Sequence, residues 1–313
     1  MNGLRILSYP SRLKRWLLVC LIVFSGVSYG LQSPTVEWTM INVNTDLLPA
    51  DAHLLKFPDG RVYMIDTGHP YTQIVPYLKA HHIQRIHKLF ISHFHKDHYG
   101  ALPVILDAKI NIEEVYINIP DREACDRDLP FCNYPHILKT IELMKSRNIR
   151  VSSVKAGDMF YNKAAIRLEA LYAFDGADTP VGRTDINDTS IIMSLRHGKT
   201  RVLFTGDLNR RMGTWLAEND GNLQSEVLKV PHHGGESTAP NVFFDAVNPQ
   251  VALVPSTKRL WLSKRSKRIK DYFDARKIDT YVNGIHGHVT VLLFEDRFIV
   301  HNPATRKEYS STH

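Results

Sequence analysis

The chain is poor in cysteine. Only three of its 313 residues are cysteines, and one of them, Cys20, lies in an N-terminal apolar run. The other two, Cys125 and Cys132, lie seven positions apart in a polar segment. This spacing predicts a disulfide in an oxidising compartment, with two free surface thiols as the alternative. Because no further cysteine or histidine pair is spaced to complete a four-ligand site around them, we do not expect these cysteines to bind zinc.

Long apolar runs are also scarce. Basic residues precede the apolar run at residues 16–24, which ends at Ser25 and is followed by the small residues Ser28 and Gly30. A membrane span needs about 20 apolar residues, so this pattern predicts a cleaved signal peptide at residues 1–30. We therefore expect a periplasmic or secreted protein without a membrane anchor in the mature chain. Residues 31–313 are long enough to form a single domain with its own core.

Several catalytic motifs are absent. Gly198-Lys-Thr lacks the upstream glycine of a phosphate-binding loop, since that position is Met193, and no His-Glu-x-x-His sequence occurs. These absences exclude a P-loop nucleotide hydrolase and a metalloprotease of the His-Glu-x-x-His type.

Histidine is abundant instead, and three of the sixteen histidines fall within six residues. His93, His95, Asp97 and His98 lie between a predicted buried strand and a predicted short helix. In an extended segment, residues two apart face the same way, so His93 and His95 can share one ion while Asp97 and His98 bind a second. The spacing predicts a centre for two metal ions, and a polar surface loop is the alternative.

Predicted strands and helices alternate along the rest of the chain. A hairpin around Pro58-Asp-Gly60 ends at Asp66, a second hairpin ends at Asp207, and a later strand leads into His232. A further strand pair is predicted at residues 151–154 and 165–171. This order predicts sheets covered by helices on their outer faces.

The motifs together resemble the metallo-β-lactamase fold superfamily, and within it the soluble domain of the DNA-internalisation competence protein ComEC. The segments that carry the resemblance are Asp51, Asp66-Thr-Gly68, His93-x-His95-x-Asp97-His98, Asn187-Asp-Thr-Ser190, Thr205-Gly-Asp207 and Pro231-His-His-Gly234. The resemblance implies an α/β fold, the αβ/βα four-layer sandwich, with metal ions between the sheets at their loop ends.

The resemblance also implies the ligands. His93 and His95 would bind the first ion, Asp97 and His98 the second, and Asp207 would bridge them. His232 would be the last ligand because it directly follows a strand, with His233 as the alternative; otherwise His233 would contact the substrate.

One ligand position departs from the superfamily pattern. Where many members carry a further histidine for the first ion, this chain has Asn187, and Asp188 is the alternative. An amide oxygen is a weaker ligand than an imidazole, so we expect weaker binding of the first ion. Asp66 is expected to orient the ligands.

A centre of two divalent ions, zinc or alternatively manganese, makes hydrolysis the expected reaction, because the ions acidify a bridging water and stabilise charge on substrate oxygens. We expect an exported phosphodiesterase or nuclease with Asp97, Asp207 and His233 as catalytic residues. Hydrolysis of lactones, β-lactams or small carbon esters, or a non-catalytic binding scaffold, are the alternatives. His233, His286 and His288 are candidate proton donors, and a structural role is the alternative for His286 and His288.

Basic residues are concentrated in one stretch. The formal net charge is +7, and seven lysines and arginines without an acid lie between Lys258 and Lys270. Such a stretch can bind a polyanion such as a nucleic acid through its phosphates. The alternative is the solvated side of a helix. Trp261, within the stretch, could stack on a base or belong to the core.

Overall fold

This computed structural model describes residues 36–312, which contain two large β-sheets. The nine-stranded sheet consists of β1 (Val36–Met40), β2 (His53–Lys56), β3 (Val62–Ile65), β5 (Lys88–Phe90), β7 (Glu114–Tyr116), β8 (Arg150–Ser152), β16 (Val289–Leu293), β17 (Arg297–His301) and β18 (Arg306–Ser310). The seven-stranded sheet consists of β9 (Met159–Lys163), β10 (Ile166–Tyr172), β11 (Ile192–His197), β12 (Thr200–Phe204), β13 (Val227–Lys229), β14 (Val251–Val254) and β15 (Asp279–Val282). Two short strands, β4 (Arg85–Ile86) and β6 (Asn111–Ile112), pair separately.

Helices cover the outer faces of both sheets. The α-helices of the described residues are α1 (Ile74–Ala80), α2 (Lys96–Tyr99), α3 (Leu102–Asp107), α4 (Arg122–Arg127), α5 (Tyr134–Ser146), α6 (Arg210–Asn219), α7 (Asn241–Val247), α8 (Lys258–Trp261), α9 (Lys267–Arg276) and α10 (Asn283–His286). Apolar residues of α1, α3 and α5 pack on the nine-stranded sheet, and those of α6, α7 and α9 pack on the seven-stranded sheet. The αβ/βα sandwich is therefore confirmed.

The main core lies between the two sheets. Fully buried side chains from both sheets, among them Trp38, Phe90, Phe204 and Leu253, form one apolar cluster. Alternation along β10 explains how one strand serves this core, because its residues are buried at every second position. Burial of apolar surface on this scale is the main driving force for assembly of the two sheets.

The strand directions decide where the predicted ligands meet. β3 and β5 run parallel, and so do β12, β13 and β14. Asp66 and His93 follow β3 and β5, while Asp207 and His233 follow β12 and β13. Since parallel strands end at the same edge of a sheet, each sheet presents its ligand-bearing loops at one edge.

Two features of the strand arrangement differ from the sequence prediction. Residues 151–154 and 165–171 do not pair, since β8 is the edge strand of one sheet and β10 belongs to the other. β10 instead pairs with β9, through a tight turn in which Ala164 has a positive φ of 51°. A short connection favours a hairpin between sequence neighbours, but β9 itself was not predicted, and neither was β18.

The N-terminal predictions fall largely outside the described residues. The signal peptide at residues 1–30 lies there entirely, and the single domain at 31–313 remains a prediction. Within residues 36–312, every helix is too short or too polar to cross a bilayer.

Phe204 tests the core between the sheets. Its ring packs edge-on against Trp38 with centroids 4.9 Å apart. We expect Phe204→Ala to lower the free energy of unfolding by about 3–5 kcal/mol, because it leaves a cavity in the core. Urea unfolding would measure the loss, with the 87 % exposed Tyr71 changed to alanine as control. A loss no larger than that of the control would contradict this packing.

Candidate metal centre

Four of the predicted residues converge at one point between the sheets. Asp97, His98, Asp207 and His233 each place one ligand atom within 4.8 Å of the others. His98 Nε2 lies 3.2 Å from Asp207 Oδ2, and His233 Nε2 lies 3.0 Å from Asp97 Oδ2. Two imidazole nitrogens and two carboxylates are a donor set that suits a divalent cation.

Hydrogen bonds orient both imidazoles of this cluster. His98 Nδ1 lies 2.8 Å from Asp66 Oδ2, and His233 Nδ1 donates to the Pro255 carbonyl at 2.8 Å. With Nδ1 engaged in this way, Nε2 of each ring faces the cluster. Ligand histidines are commonly held by such carboxylate or carbonyl partners, and the position of Asp66 matches the orienting role expected for it.

Asp66 is itself fixed by the loop that carries the histidines. Its carboxylate accepts hydrogen bonds from the Ser92 backbone N–H at 2.7 Å and from Ser92 Oγ at 2.8 Å. Asp66 also adopts a left-handed backbone, with φ 58°. Such a conformation is uncommon for a residue other than glycine and is often found where a site imposes the geometry.

His93 and His95 lie beside this cluster. The His93 ring centroid is 4.9 Å from that of His95 and 4.1 Å from that of His98. Burial, followed by the neighbouring imidazoles of His98 and His95, holds the pKa of His93 well below its usual range. The buried His93 Nε2 has no hydrogen-bond partner among the described residues. A neutral, unpartnered imidazole nitrogen is the form that binds a metal ion.

The structure distinguishes Asn187 from Asp188. Asn187 Oδ1 is buried and has no hydrogen-bond partner within the described chain. The Asp188 carboxylate instead accepts hydrogen bonds from Thr184 Oγ1 and, at 2.8 Å, from the Asn209 backbone N–H. Burial raises the pKa of Asp188 to about 6. Asn187 is therefore the better placed candidate ligand of the two.

His232 and His233 occupy different positions relative to this cluster. The sequence favoured His232 as the last ligand, yet His233 is the one that joins the four-residue cluster. The backbone is left-handed at both residues, with φ 47° at His232 and 54° at His233, so the turn does not continue the alternation of the preceding strand. His232 lines the adjoining pocket, where its Nδ1 donates to Asn209 Oδ1 at 2.8 Å.

Gly206 and Gly234 are required by close packing at this edge. A Cβ at Gly206 would lie 2.4 Å from Ser190 Oγ, which accepts a hydrogen bond from the Asp207 backbone N–H. A Cβ at Gly234 would lie 2.9 Å from the Trp261 ring. Both glycines also have positive φ, so any other residue would displace the ligand that precedes or follows it.

A buried lysine beneath the cluster was not predicted. Lys229 Nζ donates to the Gly206 carbonyl at 2.7 Å, forms an ion pair with Asp51, and lies 3.6 Å from Asp207 Oδ1. Burial alone would lower the pKa of Lys229, but the carboxylates of Asp51 and Asp207 outweigh it and raise the pKa. The signal in the sequence was a lysine inside the apolar strand β13, where a charge requires a partner.

A pocket of about 470 Å³ opens onto the cluster. It is lined by ligand candidates and by residues of the basic stretch, namely His95, Asp97, Asp207, His232, His233, Arg259 and Arg265. Leu47 and Leu48, which are more than half exposed, also line it. The candidate centre is therefore accessible to a substrate.

His286 and His288 do not line this pocket. His286 Nδ1 bonds to the Val282 backbone at 2.8 Å, and His288 Nδ1 accepts from the Asn42 N–H at 3.0 Å. The His288 ring also packs on Tyr77. These contacts are those of structural histidines.

The described residues provide a donor set that fits a divalent metal ion. The donor atoms are imidazole nitrogens and carboxylate oxygens, and three of them, His93 Nε2, His98 Nε2 and Asp207 Oδ1, are buried without a hydrogen-bond partner among residues 36–312. Among these residues one buried lysine, Lys229, lies close to the carboxylates of Asp51 and Asp207, and it offsets only part of the charge of Asp51, Asp97 and Asp207. Dications would supply the compensating charge that burial of such groups demands.

Comparison with known proteins agrees with this geometry. Residues 45–123 match the family model described as the metallo-beta-lactamase superfamily. The chain is 28% identical to the competence protein ComA of Neisseria gonorrhoeae over 66% of its length, and 22% identical to ComE operon protein 3 of Bacillus subtilis over 77%. It spans only 24% and 31% of those two relatives. The resemblance to ComEC-type competence proteins is thus confirmed.

The fold is also found in a solved structure. A mutant of the CmlA beta-hydroxylase superimposes with a TM-score of 0.53 and 14% identity, covering 83% of this chain and 54% of that one. The likeness shows the metallo-β-lactamase fold. Because a hydroxylase shares it, the reaction has to be argued from the site rather than from the fold.

Metal binding by alanine variants tests whether His233 or His232 is the ligand. We expect His233→Ala to weaken binding of one ion by about tenfold or more, because it removes a ligand. His232→Ala should bind two ions nearly as well as the unchanged protein. Metal analysis and competition with a chromophoric chelator measure both, with His286→Ala as control. Weaker metal binding by His232→Ala, with unchanged binding by His233→Ala, would identify His232 as the ligand.

A double-mutant cycle tests the buried ion pair. We expect Lys229→Met to lower the free energy of unfolding of the metal-free protein by about 3–5 kcal/mol, because it leaves Asp51 buried without its cation. Adding Asp51→Asn should recover a large part of that loss. Denaturant unfolding of the two single variants and the double variant gives the coupling. Additive losses would show that the two side chains do not depend on each other.

Proposed function

We propose that this chain, which has the metallo-β-lactamase fold, is an exported metal-dependent hydrolase of phosphodiesters, of the phosphodiesterase or nuclease class. The observation that carries the proposal is the cluster of Asp97, His98, Asp207 and His233 at a pocket that arginines also line. Imidazoles and carboxylates supply the metal ligands, and guanidinium groups favour an anionic substrate.

The proposed ligand roles combine the family resemblance with the positions of the side chains. His93, His95 and Asn187 would hold the first ion, Asp97, His98 and His233 the second, and Asp207 would contact both. Two zinc or manganese ions, when bound, would acidify a water and stabilise negative charge on the phosphoryl oxygens. Asp97 and Asp207 thus serve the reaction as ligands.

The two neighbouring histidines are given separate tasks. Nδ1 of His233 is bonded to Pro255 and its Nε2 faces two carboxylates, so we assign it to metal binding rather than proton transfer. His232 lines the pocket, and Asn209 fixes its Nδ1 as the protonated nitrogen. Its Nε2 can hold or deliver a proton at the substrate, the task that the sequence analysis gave to His233.

A second candidate function is hydrolysis of lactones, β-lactams or small carbon esters. The same ligand cluster would serve it, and the exposed Leu47 and Leu48 at the pocket would suit an apolar group. The pocket arginines favour the phosphodiester over uncharged lactones and esters, which offer a guanidinium no anionic partner.

Export is part of the proposal. The predicted disulfide is present, joining Cys125 and Cys132. A disulfide is typical of a protein from an oxidising compartment, which supports the signal peptide at residues 1–30. N-terminal sequencing of the mature protein would test it, and an intact residue 1 would contradict cleavage.

A substrate panel tests the reaction. We expect the metal-loaded protein to hydrolyse bis(p-nitrophenyl) phosphate and single-stranded DNA, and to leave a β-lactam intact. Removing a ligand from either ion, by His95→Ala or Asp207→Ala, should lower kcat/KM by about a hundredfold or more, because the ions stabilise the transition state. Chelation should abolish activity, and added zinc or manganese should restore it.

Matched controls separate the alternatives. His288→Ala changes a histidine outside the pocket and should retain activity. Hydrolysis of the β-lactam alone would overturn the phosphodiesterase proposal. A protein that binds no metal and hydrolyses no substrate would be a non-catalytic scaffold.

A further inference from the structure

We propose that Arg259 and Arg265 form a second phosphate site beside the metal centre, which selects substrates that carry a phosphate next to the one that is cleaved. This inference rests on the proposed phosphodiesterase function. It names the two residues that would distinguish an oligonucleotide-like chain from a small diester.

Both arginines face the space in which the substrate would lie. They line the same pocket as Asp97, Asp207 and His232. Arg259 also lines an adjoining cavity of about 550 Å³, together with Lys258 and Asn44. The basic groups therefore continue from the metal centre along the surface, which would suit a substrate longer than one phosphodiester.

Neither guanidinium group has an acceptor among residues 36–312. In the part of the chain that the structure describes, Arg259 and Arg265 make no side-chain hydrogen bond or ion pair. Both side chains are exposed. A guanidinium carries five N–H donors in a planar fork that matches phosphate oxygens, so two unpaired guanidiniums in one pocket predict an anionic ligand.

The other groups of the basic stretch have structural partners or lie elsewhere. Lys267 pairs with Asp271 one helical turn away. Arg268 donates to the carbonyls of Thr238 and Ala239, both at 2.8 Å. Trp261 is buried against Gly234 and belongs to the core. The stretch between Lys258 and Lys270 is therefore not a uniform polyanion surface, and its unpaired guanidiniums at the metal pocket are the part suited to a ligand.

The charges in the pocket decide which phosphate the arginines would take. The scissile phosphate would lie at the metal ions, whose charge already balances it. Besides the metal-ligand candidates, the pocket lining contains two guanidiniums and one carboxylate, that of Glu236, and a second phosphate would balance the remaining positive charge. Charge-assisted hydrogen bonds from a guanidinium to phosphate are among the stronger polar contacts, so this second site should contribute measurably to affinity.

Binding of mononucleotides that contain no phosphodiester bond tests the second site directly. Isothermal titration of the manganese-loaded full chain would compare thymidine 3′,5′-bisphosphate with thymidine 5′-monophosphate and 3′-monophosphate. We expect the bisphosphate to bind about tenfold more tightly than either monophosphate. In Arg259→Ala/Arg265→Ala this advantage should be lost, while Arg259→Lys/Arg265→Lys should retain part of it because the charge remains.

Lys264→Ala/Lys267→Ala is the matched control, since it removes two charges from the same stretch outside the pocket lining. It should preserve the bisphosphate advantage. Circular dichroism would confirm that each variant is folded. Equal affinity of the unchanged protein for the three nucleotides, or an equal loss for all three in the arginine variant, would overturn the second site.

Hydrolysis separates this inference from the proposed function. The dinucleotides TpT, pTpT and TpTp differ only in a terminal phosphate, and we expect at least one phosphorylated form to have a higher kcat/KM than TpT. The ratio of kcat/KM for that phosphorylated dinucleotide to kcat/KM for TpT should fall from about ten to about one in Arg259→Ala/Arg265→Ala. If the unchanged protein cleaves no diester, the proposed function fails, and the titration still decides the second site.

Discussion

The site depends on the burial of several carboxylates at the edge where the two sheets meet. Asp51, Asp66 and Asp207 are almost entirely buried, and Asp97 is largely so. Carboxylates in such a place repel one another unless cations are close. Lys229 provides one fixed positive charge, and divalent ions would provide the rest. The imidazole orientations and the positive-φ residues all serve to bring these charges together.

Close packing also connects the metal centre to the basic residues that line the pocket. Gly234 ends the turn that carries His232 and His233, and Trp261 packs directly against it. Trp261 belongs to the short helix α8, which also carries Arg259. The packing of Trp261 on Gly234 therefore fixes the position of Arg259 relative to the ligand turn. A substitution at Gly234 would displace α8, and a substitution at Trp261 would displace the ligand turn.

Much of this arrangement could be predicted from the sequence. Alternating strands and helices predicted sheets covered by helices, and the resemblance carried by the motifs implied the four-layer fold and the convergence of Asp97, His98 and Asp207. The positions of the His232 and His233 side chains could not be predicted, because they depend on two successive left-handed residues that no local pattern indicates. The contact of Lys229 with Asp51 and the pairing of β9 with β10 also depend on long-range packing or turn geometry.

The position of β1 has a consequence for how the chain folds. β1 lies between β2 and β16, so the first described strand is paired with one near the end of the chain. During synthesis one edge of β1 stays open until residues 289–293 have emerged, and an open strand edge is prone to pair with other chains. Contacts of such large sequence separation also slow folding. We therefore expect the nine-stranded sheet to close only after residues 289–293 have become available to pair with β1.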